Sequence, residues 1–336
     1  MSVSDPHRAR HGGAARALQL ALVAGLLGLV VFANMPGTLR FFYLLQKLAH
    51  SLVFGTVAML VLSLQRPAWR QRTLLLYLAA FLVTVALGAA TEILQMLTQR
   101  DPALRDVLRD ALGAATALAA WAAAAEPALA VRTAKGTRLV ALAVALLGAV
   151  TVSAPMLSGL LAYAHRDCAF PVLAKFDSWL DEYFLGSLDV RSTEADPGGP
   201  RRVVQPARFA RTQGEHALSV PLRAAQWTGV TLDEPYPDWR GRTVLLVDLT
   251  NPSPTALDLT IRIHDRGHNQ QYQDRFNRTL PLPAAARRVF RVPVGDIEAA
   301  PRGRRMDLGH IAGIVIFLPG SPANPPAFLL NRVWLE

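Results

Sequence analysis

The chain has 336 residues, of which 51% are hydrophobic and 18% are charged, and its formal net charge at pH 7 is +10. This positive charge does not indicate nucleic acid as a partner, because the arginines are scattered and no basic helix carries interleaved aromatic residues. The single cysteine, Cys168, excludes an intramolecular disulfide and a cysteine-based zinc site.

Composition changes along the chain at about Tyr163. Before it Ala, Leu and Val dominate, and after it Pro, Arg, Asp and Asn become common. The change predicts a membrane domain over residues 1–165 and a water-soluble part after it. Five apolar stretches approach the length of about 20 residues that a spanning helix needs. They cover about residues 17–35, 48–64, 74–97, 107–125 and 139–163.

The Lys and Arg residues of the short loops predict how this α-helical membrane bundle is oriented. They are more frequent before the first helix, between the second and third, and between the fourth and fifth. The N-terminus is therefore expected in the cytoplasm, and five crossings put the residues after about His165 outside. We expect a multi-pass protein of the bacterial cytoplasmic (inner) membrane, with the lipid bilayer as a partner.

Polar residues fall at the ends of three of these apolar segments, all on the outer side in this topology. Ionisable groups within hydrocarbon are costly and rare without a role. Spacings of three or four residues place each set on one helix face. The sequence predicts a polar membrane cluster; snorkelling or helix capping at the interface is the alternative. The set is Lys47, His50, Glu92, Gln95, Arg100, Asp106 and Asp110.

These residues resemble the pattern of the VanZ-like membrane family over about residues 40–125. That pattern has Lys and His three apart, a later Glu-x-x-Gln, then Arg, Asp, Asn and Gly, the last matched by Gly113. The chain departs from it at Gln46 and Thr91, where acidic residues are usual, and at Asp110, where Asn is usual. The family takes its name from low-level resistance to teicoplanin, and the resemblance implies a cell-envelope role.

Residues 166–206 are expected to be a linker or entry segment. Phe176, Trp179, Leu180 and Tyr183 recur at helical spacing, which favours a short amphipathic helix. An extended segment that enters a sheet is the alternative. The Gly, Pro and charged residues of 187–205 indicate a loop.

From about Ala207 the patterns are those of strands. Apolar residues at 257, 259, 261 and 263 alternate with polar ones, so one face of that strand is core and the other is solvated. Further strands are expected at about 244–249, 288–294, 311–318 and 328–334. Short strands separated by turns predict an all-β, jelly-roll-like sandwich over residues 207–336.

Aromatic and polar residues in this region suggest a glycan surface, because sugar C–H faces stack on aromatic rings and hydroxyls need polar partners. Alternatives are that Trp239 lies in the core and that Asp274 and Arg275 form a loop ion pair. His264 and His268 with Asp265 have a metal-ligand spacing, but we predict no metal and no cofactor. The candidates are Trp227, Trp239, His264, His268, Asn269, Tyr272, Asp274 and Arg275.

Three short sequence segments of this region, at residues 238–241, 248–252 and 272–277, resemble galactose-binding-like jelly-roll modules found beside carbohydrate-active domains. The resemblance covers about residues 207–336. It implies a glycan-binding module without catalytic residues.

The sequence contains no phosphate-binding Gly-rich loop, nucleophile elbow or His-Glu-x-x-His motif. The preferred hypothesis is a non-enzymatic envelope protein whose bundle anchors an outer sandwich that binds polysaccharide, peptidoglycan or glycolipid. We expect such a role to serve polysaccharide or wall-glycan handling or antibiotic tolerance. The alternative is an integral-membrane enzyme or lipid-headgroup-binding protein that uses the His, Glu, Arg and Asp side chains of the polar membrane cluster.

Overall fold

A computed structural model of the chain describes residues 6–32, 39–64, 73–98, 103–124, 135–187, 199–223, 225, 227–320 and 327–336. The chain divides into two compact units, Met1–Leu160 and Leu161–Glu336. We call them the helical unit and the sheet unit.

Five long helices confirm the predicted helical N-terminal region. Each contains a stretch long and apolar enough to cross a membrane. Their bounds are α1 Pro6–Phe32, α2 Arg40–Leu64, α3 Thr73–Gln95, α4 Leu104–Ala124 and α5 Lys135–Ala169. Several are longer than predicted, because their first turns carry polar residues that an apolar window leaves out.

Helices α2 and α4 pack with their backbones in contact. A Cβ built on Gly113 of α4 would lie 2.1 Å from the carbonyl oxygen of Ser51 on α2, so only glycine fits there. A Cβ on Gly55 would lie 3.2 Å from the carbonyl oxygen of Gly113. Small residues at such positions let neighbouring helices approach closely. This close approach fixes how the polar residues of α2 and α4 are aligned with one another.

The sheet unit contains two antiparallel sheets within the described residues. The strands are β1 Val172–Ala174, β2 Leu185–Ser187, β3 Arg201–Val204, β4 His216–Pro221, β5 Trp227–Asp233, β6 Val244–Asn251, β7 Leu257–Asp265, β8 Phe276–Leu282, β9 Ala286–Pro293, β10 Ile311–Pro319 and β11 Ala327–Leu335. One sheet has the order β3-β4-β11-β6-β9, with β1 paired to β11, and the other has the order β2-β5-β10-β7-β8. A short helix, α6 Val294–Ala299, follows β9.

The core of this unit is formed by alternate residues of both sheets. Along β7, Leu257, Leu259, Ile261 and Ile263 are buried, while the residues between them are not. They pack in one cluster with Leu245, Val247 and Leu249 of β6 and with Ile314 and Ile316 of β10. Since successive side chains of a strand point to opposite faces, the intervening residues lie on the outer face of the five-stranded sheet.

Strands β1, β2 and β3 lie within residues 166–206, which the sequence predicted to be an entry segment. Strands of three or four residues are too short to show a period of two. The proposed amphipathic helix is a single 3-10 turn, Trp179–Glu182, capped by the side chain of Ser178. The extended alternative describes this segment better, since β1 and β2 pair with β11 and β5.

Candidate functional site

The outer face of the five-stranded sheet brings together polar side chains from three strands. Val315 on β10 lies opposite Thr231 on β5 and Arg262 on β7. Arg262 in turn lies opposite Asn277 on β8. Because directly opposed residues share one face of a sheet, these four side chains form a continuous row.

Aromatic residues lie at one end of this face. The rings of Trp227 and Phe317 meet edge to face with centroids 5.5 Å apart, and 50% of Trp227 is exposed. Gly229 lies opposite Phe317, and a Cβ there would come within 2.8 Å of the Phe317 Cβ. The missing side chain lets β5 and β10 approach closely at this point. The Arg262 guanidinium lies 5.9 Å from the centroid of Phe317.

The other end of the outer face carries His264, Arg275 and Tyr272. The His264 imidazole lies over Gly313, where a Cβ would come within 2.6 Å of the ring. The Arg275 guanidinium lies 5.3 Å from the ring centroid of Tyr272, which is 69% exposed. Asn277 Nδ2 donates a hydrogen bond of 3.4 Å to the carbonyl oxygen of Tyr272. An exposed ring therefore stands beside donors and acceptors at this end as well.

The electrostatics of the outer face are dominated by two arginines. Neither Arg262 nor Arg275 forms an ion pair among the described residues. Burial lowers the pKa of both, and the nearby Arg275 lowers the pKa of Arg262 further. Burial, followed by His268 and Arg262, lowers the pKa of His264 to about 4. At neutral pH the outer face therefore carries two uncompensated positive charges beside a neutral imidazole.

Several candidates from the sequence lie elsewhere. Trp239 is fully buried in the core, and its Nε1 donates to the carbonyl oxygen of Tyr236. Trp239 is therefore a core residue and not part of a glycan surface. Asp274 binds Arg304, so its partner in the loop is not Arg275.

His268 and Asn269 belong to the same loop as Asp274. The Asn269 backbone N–H donates to Asp274 Oδ2, and His268 Nδ1 lies 2.9 Å from the Asp274 carbonyl oxygen. Asp265 also binds Arg304 and accepts the backbone N–H of Asp307. The carboxylate of the proposed His264, His268 and Asp265 metal set is thus engaged by a guanidinium.

Three residues of the outer face were missed by sequence reasoning. The alternation along β7 indicated that Arg262 is solvated, but nothing in the sequence indicated its neighbours Asn277 and Phe317. Their proximity depends on the register of β7 with β8, which follows it, and with β10, which lies further along the chain.

A second group of polar residues converges in the helical unit. His50 on α2, Glu92 on α3 and Asp110 on α4 each offer a ligand atom, and these atoms lie within 4.8 Å of one another. His50 Nδ1 lies 3.7 Å from Asp110 Oδ1. Glu92 Oε2 accepts the Ala103 backbone N–H at 2.9 Å. We call His50, Glu92 and Asp110 the buried triad.

The remaining members of the predicted membrane cluster have other contacts. Gln95 Nε2 donates to the Val30 carbonyl oxygen on α1. Lys47 lies over the Tyr43 ring, and Asp106 pairs with Arg109 on its own helix. Arg100 lies outside the described residues.

No protein-family model matches the chain, and no curated protein matches its sequence. Among solved structures, similar ones include the family 11 carbohydrate-binding module from Clostridium thermocellum in complex with a β-1,3-1,4-mixed-linked tetrasaccharide. That match has 14% identity and a TM-score of 0.35, and it covers 49% of this chain and 93% of the module. A family 30 carbohydrate-binding module of a cellulosomal cellulase of Clostridium thermocellum matches at 12% identity and a TM-score of 0.31, covering 46% of this chain and 90% of the module.

An exo-β-agarase also matches, at 12% identity and a TM-score of 0.37. The match covers 49% of this chain and 24% of the agarase. Carbohydrate-binding modules are thus among the solved structures to which part of the chain is similar. The resemblance to the VanZ-like family has no match of this kind and stays a prediction.

Proposed function

We propose that the sheet unit binds an oligosaccharide on the outer face of its five-stranded sheet. The observation that carries this proposal is the half-exposed Trp227 ring, packed on Phe317, with the Arg262 guanidinium 5.9 Å from the Phe317 centroid and without an ion pair among the described residues. Aromatic faces stack on the C–H faces of sugars, and polar groups beside them bond to hydroxyls. A sheet face with exposed rings at both ends and polar groups between them suits an extended chain of sugar units.

The charge of the outer face favours an acidic glycan. Arg262 and Arg275 are two guanidinium groups without a carboxylate partner among the described residues. A guanidinium binds carboxylate or sulfate groups through paired, charge-assisted hydrogen bonds. A uronic-acid or sulfated polysaccharide would supply anionic partners for Arg262 and Arg275.

The helical unit, in this proposal, anchors the sheet unit in the bacterial inner membrane. The N-terminus is cytoplasmic and the sheet unit extracytoplasmic, where wall and capsular polysaccharides, peptidoglycan and glycolipids occur. A role in polysaccharide handling or antibiotic tolerance follows from that location and agrees with the resemblance to the VanZ-like family.

Titration of the full chain in detergent tests glycan binding. The probes are oligogalacturonate as an acidic glycan and a mixed-linkage β-glucan oligosaccharide as a neutral one. Trp227→Ala should weaken binding at least about tenfold, since truncating an aromatic anchor costs on the order of 1–2 kcal/mol. Trp179→Ala is the matched control, because Trp179 is 52% exposed and lies outside the five-stranded sheet. Equal loss in both variants, or no binding of either sugar by the wild type, would refute the proposal.

Reporter fusions after Glu336 test the location. Alkaline phosphatase fused there should be active and a green fluorescent protein dark, because five crossings from a cytoplasmic N-terminus end outside. The reverse pair of results would place the sheet unit in the cytosol and remove the envelope glycans as ligands.

A second candidate function rests on the convergence of His50, Glu92 and Asp110. Here the buried triad belongs to a site for a lipid headgroup or for membrane chemistry, with acid–base groups from three helices. Glu92→Gln and His50→Ala, scored for folding and for envelope phenotype, test it. Folded variants with a normal phenotype would leave the buried triad without a function, and loss of expression alone would indicate a structural network.

A further inference from the structure

The buried triad combines one imidazole and two carboxylates at the meeting point of three helices. Asp110 is 1% exposed and Glu92 is 3% exposed. His50 Nδ1, Glu92 Oε1 and both carboxylate oxygens of Asp110 have no hydrogen-bond partner among the described residues. These four polar atoms are closed off from solvent and lack a donor or acceptor, and one ligand atom of each residue lies within 4.8 Å of those of the other two.

Burying two carboxylates without a counter-charge is costly. An ionised group taken out of water loses several kcal/mol of solvation unless a partner compensates it. Within the described part of the chain the nearby cations are engaged elsewhere, since Arg109 pairs with Asp106 and Lys47 lies over Tyr43. The one histidine contact, at 3.7 Å between His50 Nδ1 and Asp110 Oδ1, is too long for a hydrogen bond.

We propose that His50, Glu92 and Asp110 bind one divalent transition-metal ion, in the first place Zn²⁺. A dication cancels the charge of two carboxylates, and an imidazole nitrogen selects zinc-like metals over magnesium and calcium. Three protein ligands leave a fourth position of a tetrahedral ion open to water or to an oxygen of another molecule. The inference deepens the second candidate function and is independent of glycan binding.

The geometry needs little movement to hold such an ion. Around tetrahedral zinc with bonds of about 2.0–2.1 Å, two ligand atoms lie about 3.3–3.4 Å apart. The 3.7 Å between His50 Nδ1 and Asp110 Oδ1 is close to that value, and the whole set lies within 4.8 Å. A closing movement of about 1–1.5 Å brings every pair to the coordination distance.

The surrounding helices hold the ligands in place. The contact of Gly113 with the backbone at Ser51 aligns α2 and α4 so that His50 and Asp110 lie side by side. Gly88 on α3 leaves room for the Asp110 carboxylate, since a Cβ there would lie 3.2 Å from Asp110 Oδ2. The Ala103 N–H fixes the second oxygen of Glu92, as outer hydrogen bonds commonly orient metal ligands.

Metal analysis of the full chain purified in detergent tests the proposal without any activity assay. After removal of metal with a chelator and addition of Zn²⁺, the wild type should retain about one equivalent after desalting. His50→Ala and Asp110→Asn should lose at least about 100-fold in zinc affinity, more than outer-shell substitutions do. Asp106→Asn is the matched control, because Asp106 is an acid one turn from Asp110 that pairs with Arg109.

A cysteine variant with a spectroscopic signal distinguishes the loss of a metal ligand from misfolding. Co²⁺ replaces zinc in such sites, and His50→Cys would give a thiolate-to-Co²⁺ charge-transfer band that the wild type, with its single Cys168, lacks. Appearance of that band in a folded His50→Cys protein supports direct ligation. Absence of the band, together with no retained zinc in the wild type, would overturn the proposal. Retained zinc in wild type and all variants alike would also overturn it, as binding elsewhere.

Discussion

The buried carboxylates of the sheet unit and of the helical unit differ in what compensates their charge. In the sheet unit Asp265 and Asp274 share Arg304, and Asp248 binds Arg287. In the helical unit Glu92 and Asp110 have no such cation among the described residues. A buried carboxylate that pairs with arginine stabilises the fold. An unpaired carboxylate beside an imidazole has the chemistry of a ligand site.

The outer face of the five-stranded sheet shows the opposite imbalance. There Arg262 and Arg275 are cations that pair with no carboxylate in the described part of the chain. The two units therefore differ in the sign of the charge that each leaves for a ligand. On this comparison the buried triad would take a cation and the outer face an anion.

The largest predicted effect comes from removing Arg304, which pairs with the two buried carboxylates of Asp265 and Asp274. Arg304→Ala should lower the free energy of unfolding of the sheet unit by about 3 kcal/mol, since it leaves Asp265 buried and unpaired. Chemical unfolding followed by near-ultraviolet circular dichroism measures it. Arg305→Ala, at an exposed pair with Glu298, should cost less than about 1 kcal/mol. Equal effects would mean that the Arg304 cluster is not structural.

The next effect concerns the packing that positions the buried triad. Gly113→Ala places a Cβ on the Ser51 carbonyl, so α2 and α4 must separate, at a cost of about 1–3 kcal/mol. Thermal unfolding in detergent should show the loss, and zinc retention should fall with it. Gly28→Ala is the control, because no atom lies within 4 Å of a Cβ at Gly28. A Gly113→Ala protein that keeps both stability and zinc would contradict this packing.

A smaller effect separates acidic from neutral ligands. Arg262→Gln and Arg275→Gln should each weaken oligogalacturonate binding about tenfold, as expected for one lost charge-assisted hydrogen bond. Binding of a neutral oligosaccharide should change far less. Arg288→Gln, on β9 of the other sheet, should alter neither. Equal weakening of both sugars would keep the surface but remove its preference for acids.

The smallest effect is a pH dependence. The pKa of His264 is lowered from 6.5 to about 4, so between these values the unfolded chain binds more protons than the folded one. Stability should therefore fall as pH decreases from about 6.5 to about 4, and His264→Gln should remove that slope. Glycan affinity should stay constant between about pH 5.5 and 7.5, because the folded imidazole remains neutral there. A midpoint near pH 6.5 in the binding curve would show that His264 is not desolvated.

Much of the fold followed from local patterns. The five apolar stretches became helices, and the alternation of Leu257 to Ile263 became β7, extended to Asp265. β1, β2 and β3 did not emerge as separate strands, because three or four residues carry too little periodicity.

The sites followed from the sequence only in part. The sequence identified His50, Glu92 and Asp110 as polar residues that are costly to bury in a membrane. Their proximity depends on the close packing of α2 against α4 at Gly113. Trp227, Tyr272 and Arg275 were identified by type, whereas Arg262, Asn277 and Phe317 join them only through strand register. Trp239 and Asp274 are residue types common on binding surfaces, but both are buried. The local sequence does not distinguish burial from exposure for such residues.

Hydroxyl-radical footprinting of the full chain, with and without saturating oligogalacturonate, tests the glycan proposal most directly. Oxidation of the exposed rings of Trp227 and Tyr272 should fall on addition of the sugar, while that of Trp179 should not change. Protection of Trp179 alone, or of no residue on the outer face, would contradict the account.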